Sequence, residues 1–292
     1  MFKGSIVALV TPFRDGEVDD KSYQSIIDWQ ISEGTDGLVP VGTTGESPTL
    51  SHKEHERVVD LCIEASGGRV PVIAGAGSNS TEEAVELTRY AKKAGADGAL
   101  IVTPYYNKPS QDGLYSHFKT IADSVDIPII IYNIPPRSVV DMSVETMTRL
   151  AEDCHNIVGV KDATQDLVRP LATRASVGED FCLLSGEDAT VLSFLVNGGD
   201  GCISVTANVA PRACAEMHDA WQAGDYKRAM SINDRLFPLH DALFVEPNPV
   251  PSKYALEKLE KATSDVRLPL TSANSNTQKL VDAAMVSAGL LN

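Results

Sequence analysis

The chain has 292 residues, 43% of them hydrophobic, and a formal net charge of -15. That length suffices for a sizeable core, in one large domain or two ordinary ones. The acidic balance argues against nucleic acid as a partner, because little is available to neutralise phosphates, yet it leaves room for an anionic small substrate at a local positive site.

Short apolar, β-branched runs begin near Ile6, Leu38, Val70, Ala99, Ile129, Ile157, Cys182 and Cys202. The first, Ile6 to Val10, is far too short for a signal-peptide core or a membrane span, so no membrane association and a cytoplasmic location are expected. Segments with helical periodicity separate the runs: Val58, Leu61, Cys62 and Ala65 fall at i, i+3, i+4 and i+7, as do Ala84, Leu87, Thr88 and Ala91, and Cys214, Met217, His218 and Trp221. Ser51 with Glu54 and Ser80 with Glu83 fit S-x-x-E capping boxes. Continuous apolar strands alternating with amphipathic helices predict a parallel sheet covered by helices. Eight such units fit an α/β class, (β/α)8 TIM barrel over residues 1–224. The alternative is a doubly wound open sheet, but no strand–GxGxxG–helix unit with an acidic ribose partner is present. From residue 225 to 292 the pattern is helical only, with Tyr226, Ala229 and Met230 opening one face and Thr277, Leu280, Val281 and Ala284 another. Glu246-Pro-Asn-Pro-Val-Pro251 interrupts it, which predicts a C-terminal helical appendage. The five widely spaced cysteines are expected to be buried free thiols, and no CxxC or clustered-histidine spacing predicts a metal.

In a barrel the chemistry lies at the carboxyl ends of the strands. There the sequence places Thr11-Pro12, Gly42-Thr-Thr-Gly-Glu-Ser47, Gly75-Ala-Gly-Ser-Asn79, Thr103-Pro-Tyr-Tyr-Asn107, Tyr132-Asn-Ile-Pro-Pro-Arg137, Lys161-Asp-Ala-Thr164, Ser185-Gly-Glu-Asp188 and Ser204-Val-Thr-Ala-Asn208. Lys161 closes the apolar run Ile157-Val-Gly-Val160, where an ammonium must be desolvated, paired or put to work. Burial favours the neutral amine, a nucleophile that can form a Schiff base with a ketone or oxo-acid. A snorkelling surface lysine is the alternative for this residue alone. Tyr132, one strand earlier, is the nearest group for proton transfer, although a phenol that ordinarily ionises near pH ~10 needs a relay to act as a base. Arg137 can grip a carboxylate through two parallel hydrogen bonds, and Thr43 and Thr44 offer hydroxyls on a glycine-flanked turn. Taken singly, these could be a barrel-layer tyrosine, a surface ion pair and an ordinary glycine turn. Together they suit a small substrate bearing carboxylates.

The motifs GTTGES at 42–47, YYNKP at 105–109, YNIPPR at 132–137, GVKDAT at 159–164 and SVTAN at 204–208 resemble the 4-hydroxy-tetrahydrodipicolinate synthase (dihydrodipicolinate synthase) family, and the likeness covers essentially the whole chain. The lysine and tyrosine motifs alone mark the wider class of pyruvate-dependent class I aldolases; the threonine pair, the tyrosine pair and Arg137 are more specific. The resemblance implies condensation of pyruvate with Lys161, attack on L-aspartate 4-semialdehyde, and a step in lysine biosynthesis by the diaminopimelate route. It implies a proton relay of Thr44, Tyr132 and Tyr106, the last supplied by a neighbouring subunit of a dimer of dimers. Thr43 and Thr44 then hold the pyruvate carboxylate, Gly186 and the Ile203 carbonyl shape that end of the site, and Arg137 binds the semialdehyde carboxylate. No cofactor is implied. The second proline of the YNIPPR motif, Pro136, departs from the small residue usual in the family and stiffens the turn that aims Arg137. A sialic acid lyase or keto-sugar-acid aldolase shares the Schiff-base chemistry, and a non-catalytic sensor could use the same scaffold. In feedback-inhibited members, positions matching Ser47, Pro48, His52, His55, Asn79, Glu83 and Tyr105 form a lysine pocket at a dimer interface, so L-lysine is an expected effector; Pro48 departs from the alanine often found there.

Overall fold

A computed structural model describes residues 2–292, in which eight strands run parallel in a single sheet. Two compact units make up the chain: one comprises Pro71–Ile203, the other Gly4–Val70 and Ser204–Asn292.

The second unit opens with β1 (Gly4–Ala8), a hairpin of β2 (Phe13–Arg14) and β3 (Glu17–Val18), α1 (Asp20–Ser32), β4 (Gly37–Val39) and α2 (His52–Ser66). The two-residue hairpin strands are too short for hydrophobic alternation to reveal. Their turn is Asp15-Gly16, and both residues have positive φ, 54° and 84°. An Asp-Gly pair adopts that geometry readily, and it matches the strand twist of a hairpin. β1 pairs with β4 in register Ile6↔Gly37 to Ala8↔Val39. α2 starts with the expected capping box: the Ser51 hydroxyl accepts from the Glu54 N–H while the Glu54 carboxylate accepts from the Ser51 N–H. It ends at Gly67, whose left-handed φ of 56° suits a residue without a Cβ.

The first unit carries β5 (Ile73–Gly75), α3 (Thr81–Ala94), β6 (Gly98–Val102), α4 (Gln111–Ser124), β7 (Ile129–Asn133), the short α5 (Pro135–Ser138), α6 (Val144–Asp153), β8 (Ile157–Asp162), α7 (Arg169–Val177), β9 (Cys182–Ser185) and α8 (Val191–Val196), and leads into β10 (Gly201–Ser204). Its strands lie in the sequential order β5-β6-β7-β8-β9-β10. Every residue of β7 is buried, which is why Ile129-Ile-Ile-Tyr-Asn133 reads as a continuous run without alternation. Ile101, Ile129 and Ile131 form one core with Leu114 and Phe118 of α4 and Met147 and Leu150 of α6. Each such burial contributes about 1.5–3 kcal/mol. β5 begins later than the expected Val70, since Pro71 has no N–H to give a ladder. The Ser80–Glu83 box is absent: the Ser80 side chain makes no cap bond, and the Glu83 carboxylate accepts instead from the Ser78 hydroxyl.

After β10 the second unit continues with α9 (Pro211–Gln222), α10 (Tyr226–Ala242), α11 (Val250–Lys258) and α12 (Ser275–Ser287). The buried face of α10 is Ala229, Ile232, Leu236 and Leu239, while Tyr226 and Met230 are exposed. Tyr226 sits in the first turn, its ring against Trp221, and Met230 lies about 100° around the helix from Ala229. In α12, Thr277, Val281 and Ala284 are buried and Leu280 is exposed. All five cysteines are buried free thiols, with burial pushing Cys62 and Cys182 up to about 12. Among the described residues no helix is long and apolar enough to cross a membrane.

Candidate functional site

Strand pairing places Lys161 beside Tyr132: they are Cα partners across β7 and β8. Both are buried, Lys161 being 5% exposed, and the Lys161 Nζ lies 4.2 Å from the centre of the Tyr132 ring. The aromatic face supplies favourable electrostatics to a cation without neutralising it, so the amine is held among groups that do not sequester it in an ion pair. Asp162, next in sequence, turns to other partners: its carboxylate accepts from the Thr164 N–H (2.9 Å), the Thr164 hydroxyl (2.6 Å) and Arg169 Nε (3.1 Å). That network fixes the turn leaving β8 and commits the Asp162 carboxylate to partners other than Lys161.

Gly186 follows β9, and its N–H donates to the Asp162 carbonyl at 2.6 Å. A Cβ there would stand 2.6 Å from the Ala163 Cβ and 3.1 Å from Lys161 Cε, so glycine gives the lysine side chain its room. Glu187, next along, has its carboxyl pushed up by burial, against the opposing pull of a hydrogen bond from Gln165 and, less strongly, of Lys161 and Arg137. Sequence reading placed this residue at a strand end, in Ser185-Gly-Glu-Asp188, and gave it no role. Its signal was only an acid after a strand-end serine, where the Ser185 hydroxyl accepts the Glu187 N–H at 3.1 Å. Ile203 is buried in β10.

Arg137 is exposed on α5, in the turn that Pro135 and Pro136 start. Proline is compatible with a first helical turn, having φ already near the helical value and no N–H to lose. The segment is fastened around it: the Ser138 hydroxyl donates to the Ile134 carbonyl (2.9 Å), Asn133 Nδ2 donates to Asp141 (2.7 Å), and the Met142 N–H donates back to Asn133 Oδ1 (3.0 Å). Tyr106 is 89% exposed with a positive φ of 72°, in a loop where Asn79 Nδ2 donates to the Tyr105 carbonyl (3.2 Å) and Asn107 Nδ2 to the Asn79 carbonyl (2.9 Å). This places Asn79 and Tyr105 together, with Glu83 in the first turn of α3 just beyond Asn79.

The Gly42–Ser47 loop belongs to the other unit. Thr44 is buried, and its hydroxyl accepts a hydrogen bond from Asn248 Nδ2 at 2.9 Å. Thr43 is partly exposed. Turn bonds from Gly45 N–H to the Gly42 carbonyl and from Glu46 N–H to the Thr43 carbonyl, both 3.1 Å, close the loop on itself. Glu46 adopts a left-handed φ of 54° and buries its carboxylate against Lys253 of α11, with the Arg267 N–H donating to the other oxygen at 3.0 Å. Lys253 is 1% exposed, lies over the Phe13 ring at 4.0 Å and donates to the Asp265 carbonyl at 2.8 Å. Burial pushes it down to about 8, with the Glu46 carboxylate opposing the shift. Sequence reading missed Asn248, Lys253 and Arg267. Ser47 and Pro48 open a single turn of 3-10 helix after this loop, and His52 (exposed) and His55 (buried) lie in the first turn of α2. Among the described residues no group of three His, Cys, Asp or Glu side chains is placed to hold a metal ion.

Comparison with known proteins agrees over the full length. The profile of the Dihydrodipicolinate synthetase family matches residues 1–288. A 4-hydroxy-tetrahydrodipicolinate synthase from Rhodospirillum centenum is 65% identical, covering 100% of both chains. Among solved structures, a chloride-inhibited dihydrodipicolinate synthase from Acinetobacter baumannii complexed with pyruvate superposes with a TM-score of 0.97 at 46% identity, covering 100% of each chain. A dihydrodipicolinate synthase from Cyanidioschyzon merolae with lysine bound gives 0.96 at 41% identity, covering 99% of each. The eight parallel strands, their helices and the C-terminal helical part are thus a (β/α)8 barrel of this kind. The chain belongs to the dihydrodipicolinate synthetase family, the enzymes named 4-hydroxy-tetrahydrodipicolinate synthase.

Proposed function

We propose that the chain condenses pyruvate with L-aspartate 4-semialdehyde through a Schiff base on Lys161, as a step of lysine biosynthesis by the diaminopimelate route. The observation that carries this reading is the buried Lys161 amine held over the Tyr132 ring at the paired ends of β7 and β8. The neutral amine attacks the ketone carbon of pyruvate, and the carbinolamine loses water to give an iminium. Loss of a methyl proton leaves an enamine, whose carbon attacks the aldehyde and forms the new carbon–carbon bond. The amine of the second substrate then displaces Lys161 as the ring closes, returning the free lysine. Each step moves a proton, and the relay assigned to it is Thr44, Tyr132 and Tyr106. Thr43 and Thr44 bind the pyruvate carboxylate, Gly186 and the Ile203 carbonyl shape that end, and Arg137 takes the carboxylate of the semialdehyde. No cofactor enters, because the iminium is the electron sink.

The exposure of Tyr106 supports a relay completed between subunits, in a homotetramer built as a dimer of dimers. A chain that sediments as a fully active monomer would exclude that assembly. L-lysine is the proposed feedback effector, bound by Ser47, Pro48, His52, His55, Asn79, Glu83 and Tyr105; the lysine-bound relative and the Asn79–Tyr105 bond support this reading. Calorimetry with lysine, with and without pyruvate, tests it, and absence of binding in both overturns it.

The chemistry itself is tested by borohydride reduction in the presence of pyruvate, followed by mass spectrometry. A single pyruvate-derived adduct on Lys161 is expected. No adduct would mean a non-catalytic scaffold. A coupled assay that turned over N-acetylneuraminate but not aspartate semialdehyde would assign the chain to the sialic acid lyases instead.

A further inference from the structure

We infer that Asn248 is a positioning residue for the reaction, acting through Thr44. The inference rests on the reading of Thr44 as a relay hydroxyl. Asn248 lies just before α11, 204 residues from Thr44 in sequence, and is 6% exposed. Its Nδ2 donates to Thr44 Oγ1 at 2.9 Å. A hydroxyl has one proton to give and two lone pairs to receive with, so an amide donor on one lone pair turns the proton away from Asn248. Thr44 can then donate along only part of its rotation, and the relay has a direction before any substrate arrives.

Two further observations separate this from a purely structural hydrogen bond. The Asn248 Oδ1 is buried and has no hydrogen-bond partner within the chain. An unpaired buried acceptor costs about 1–3 kcal/mol, so an asparagine serving stability alone would be expected to pair both ends of its amide. The loop bearing Thr44 is also already held without Asn248, by its own turn bonds, by the Thr11 hydroxyl on the Gly45 carbonyl (2.8 Å) and by the Glu46–Lys253 pair. What Asn248 adds is the orientation of one hydroxyl. Its own place is set by backbone bonds on either side: the Val250 N–H donates to the Pro247 carbonyl (3.0 Å) and the Lys253 N–H to the Pro249 carbonyl (2.9 Å).

The test is a double-mutant cycle of Asn248→Ala and Thr44→Val, with Asn248→Asp beside it, reading kcat, pyruvate KM, the borohydride-trapped adduct and the melting temperature. Asn248→Ala should lower kcat at least about tenfold, short of the ~10²–10⁴ that a relay group contributes. Pyruvate KM should move far less, and the adduct should still form. In the Thr44→Val background the same substitution should change kcat by no more than about twofold, the limit expected where a shared partner has already been removed. Asn248→Asp should lose more than Asn248→Ala, because an ionised carboxylate can only accept and draws the Thr44 proton the wrong way. Equal losses in the two backgrounds overturn the inference and make Asn248 an ordinary packing residue, as does a lowered melting temperature with kcat per folded enzyme unchanged. Absence of a trapped adduct in the unmodified enzyme overturns the Schiff-base reading and this role with it, so the two failures are told apart.

Discussion

The strand ends of β7 and β8 and the Gly42–Ser47 loop carry different parts of the proposed chemistry, and they are held in place by different physics. Lys161 and Tyr132 are set by a backbone ladder: once Tyr132 and Lys161 are Cα partners in a parallel register, the side chains stand side by side with no further device. Thr44 sits in an irregular loop whose geometry depends on groups from far along the chain, the Lys253 side chain and the Arg267 N–H on Glu46, while Asn248 bonds the Thr44 hydroxyl itself. Residues on a ladder can be changed for their chemistry alone. Residues in a loop built by remote ion pairs cannot, because the same contacts set both geometry and stability.

The largest expected effect follows from the ladder. Lys161→Ala should abolish the trapped pyruvate adduct and lower turnover by orders of magnitude, since the covalent intermediate is gone. Denaturant unfolding should show no matching collapse of stability, because the β7–β8 pairing does not use the side chain. Full turnover in this variant would remove Lys161 from the mechanism. Tyr132→Phe comes next. It keeps the ring under the Lys161 amine and deletes only the hydroxyl, so kcat should fall by ~10²–10⁴ while pyruvate KM changes little. A change confined to KM would make Tyr132 a binding residue.

How much of this was legible in the sequence divides along the same line. The eight strands, the helices between them and the Tyr132, Lys161 and Arg137 positions could be read because each depends on local periodicity or on the end of an apolar run. The Ser51–Glu54 box could be read too, since both partners lie within one turn. The matching signal at Ser80 and Glu83 misled, because Ser78, two residues outside the expected box, takes the Glu83 carboxylate. Nothing local marks Asn248, Lys253 or Arg267. In Val250-Pro-Ser-Lys-Tyr-Ala-Leu256 a lysine would ordinarily face water, yet every residue of that stretch is buried. Its partner, Glu46, is named only by the three-dimensional fold.

The loop side of the comparison gives the third prediction. Lys253→Met should destabilise the protein by about 3–5 kcal/mol, because it leaves the buried Glu46 carboxylate without its partner. Pairing it with Glu46→Gln should recover most of that loss, since the penalty belongs to the unpaired charge and not to the missing attraction. Denaturant unfolding of the single and double variants decides between them. If the double variant is no more stable than the single one, the ion pair itself, and not relief of a stranded charge, holds the loop.

The smallest effect concerns the outer contact of the same region. Arg267 grips Glu54 with two nitrogens, one at 3.0 Å, while its Nη1 also reaches the Thr49 carbonyl at 2.9 Å and its guanidinium lies 4.3 Å over the Phe13 ring. The hydrogen bond from Arg267 does most to bring the Glu54 carboxyl down from 4.5 to about 2, against the opposing effect of burial, and the Ser51 bonds add to it. The folded state therefore binds the Glu54 proton more weakly than the unfolded chain does. Its contribution to stability is complete above about pH 4.5 and is lost as pH falls through about 2. Other carboxylates titrate in the same window, so the informative quantity is the stability difference between the unmodified protein and Glu54→Gln. Both partners are partly open to solvent, which limits the difference to about 1–2 kcal/mol near neutral pH. It should hold steady down to about pH 5 and shrink progressively toward pH 2. A difference that stayed constant across that range would mean that Glu54 acts as a neutral helix cap through Ser51. The loop would then be fastened from the C-terminal segment by the Glu46–Lys253 pair and the Arg267 N–H on Glu46, with no share from the Arg267–Glu54 contact.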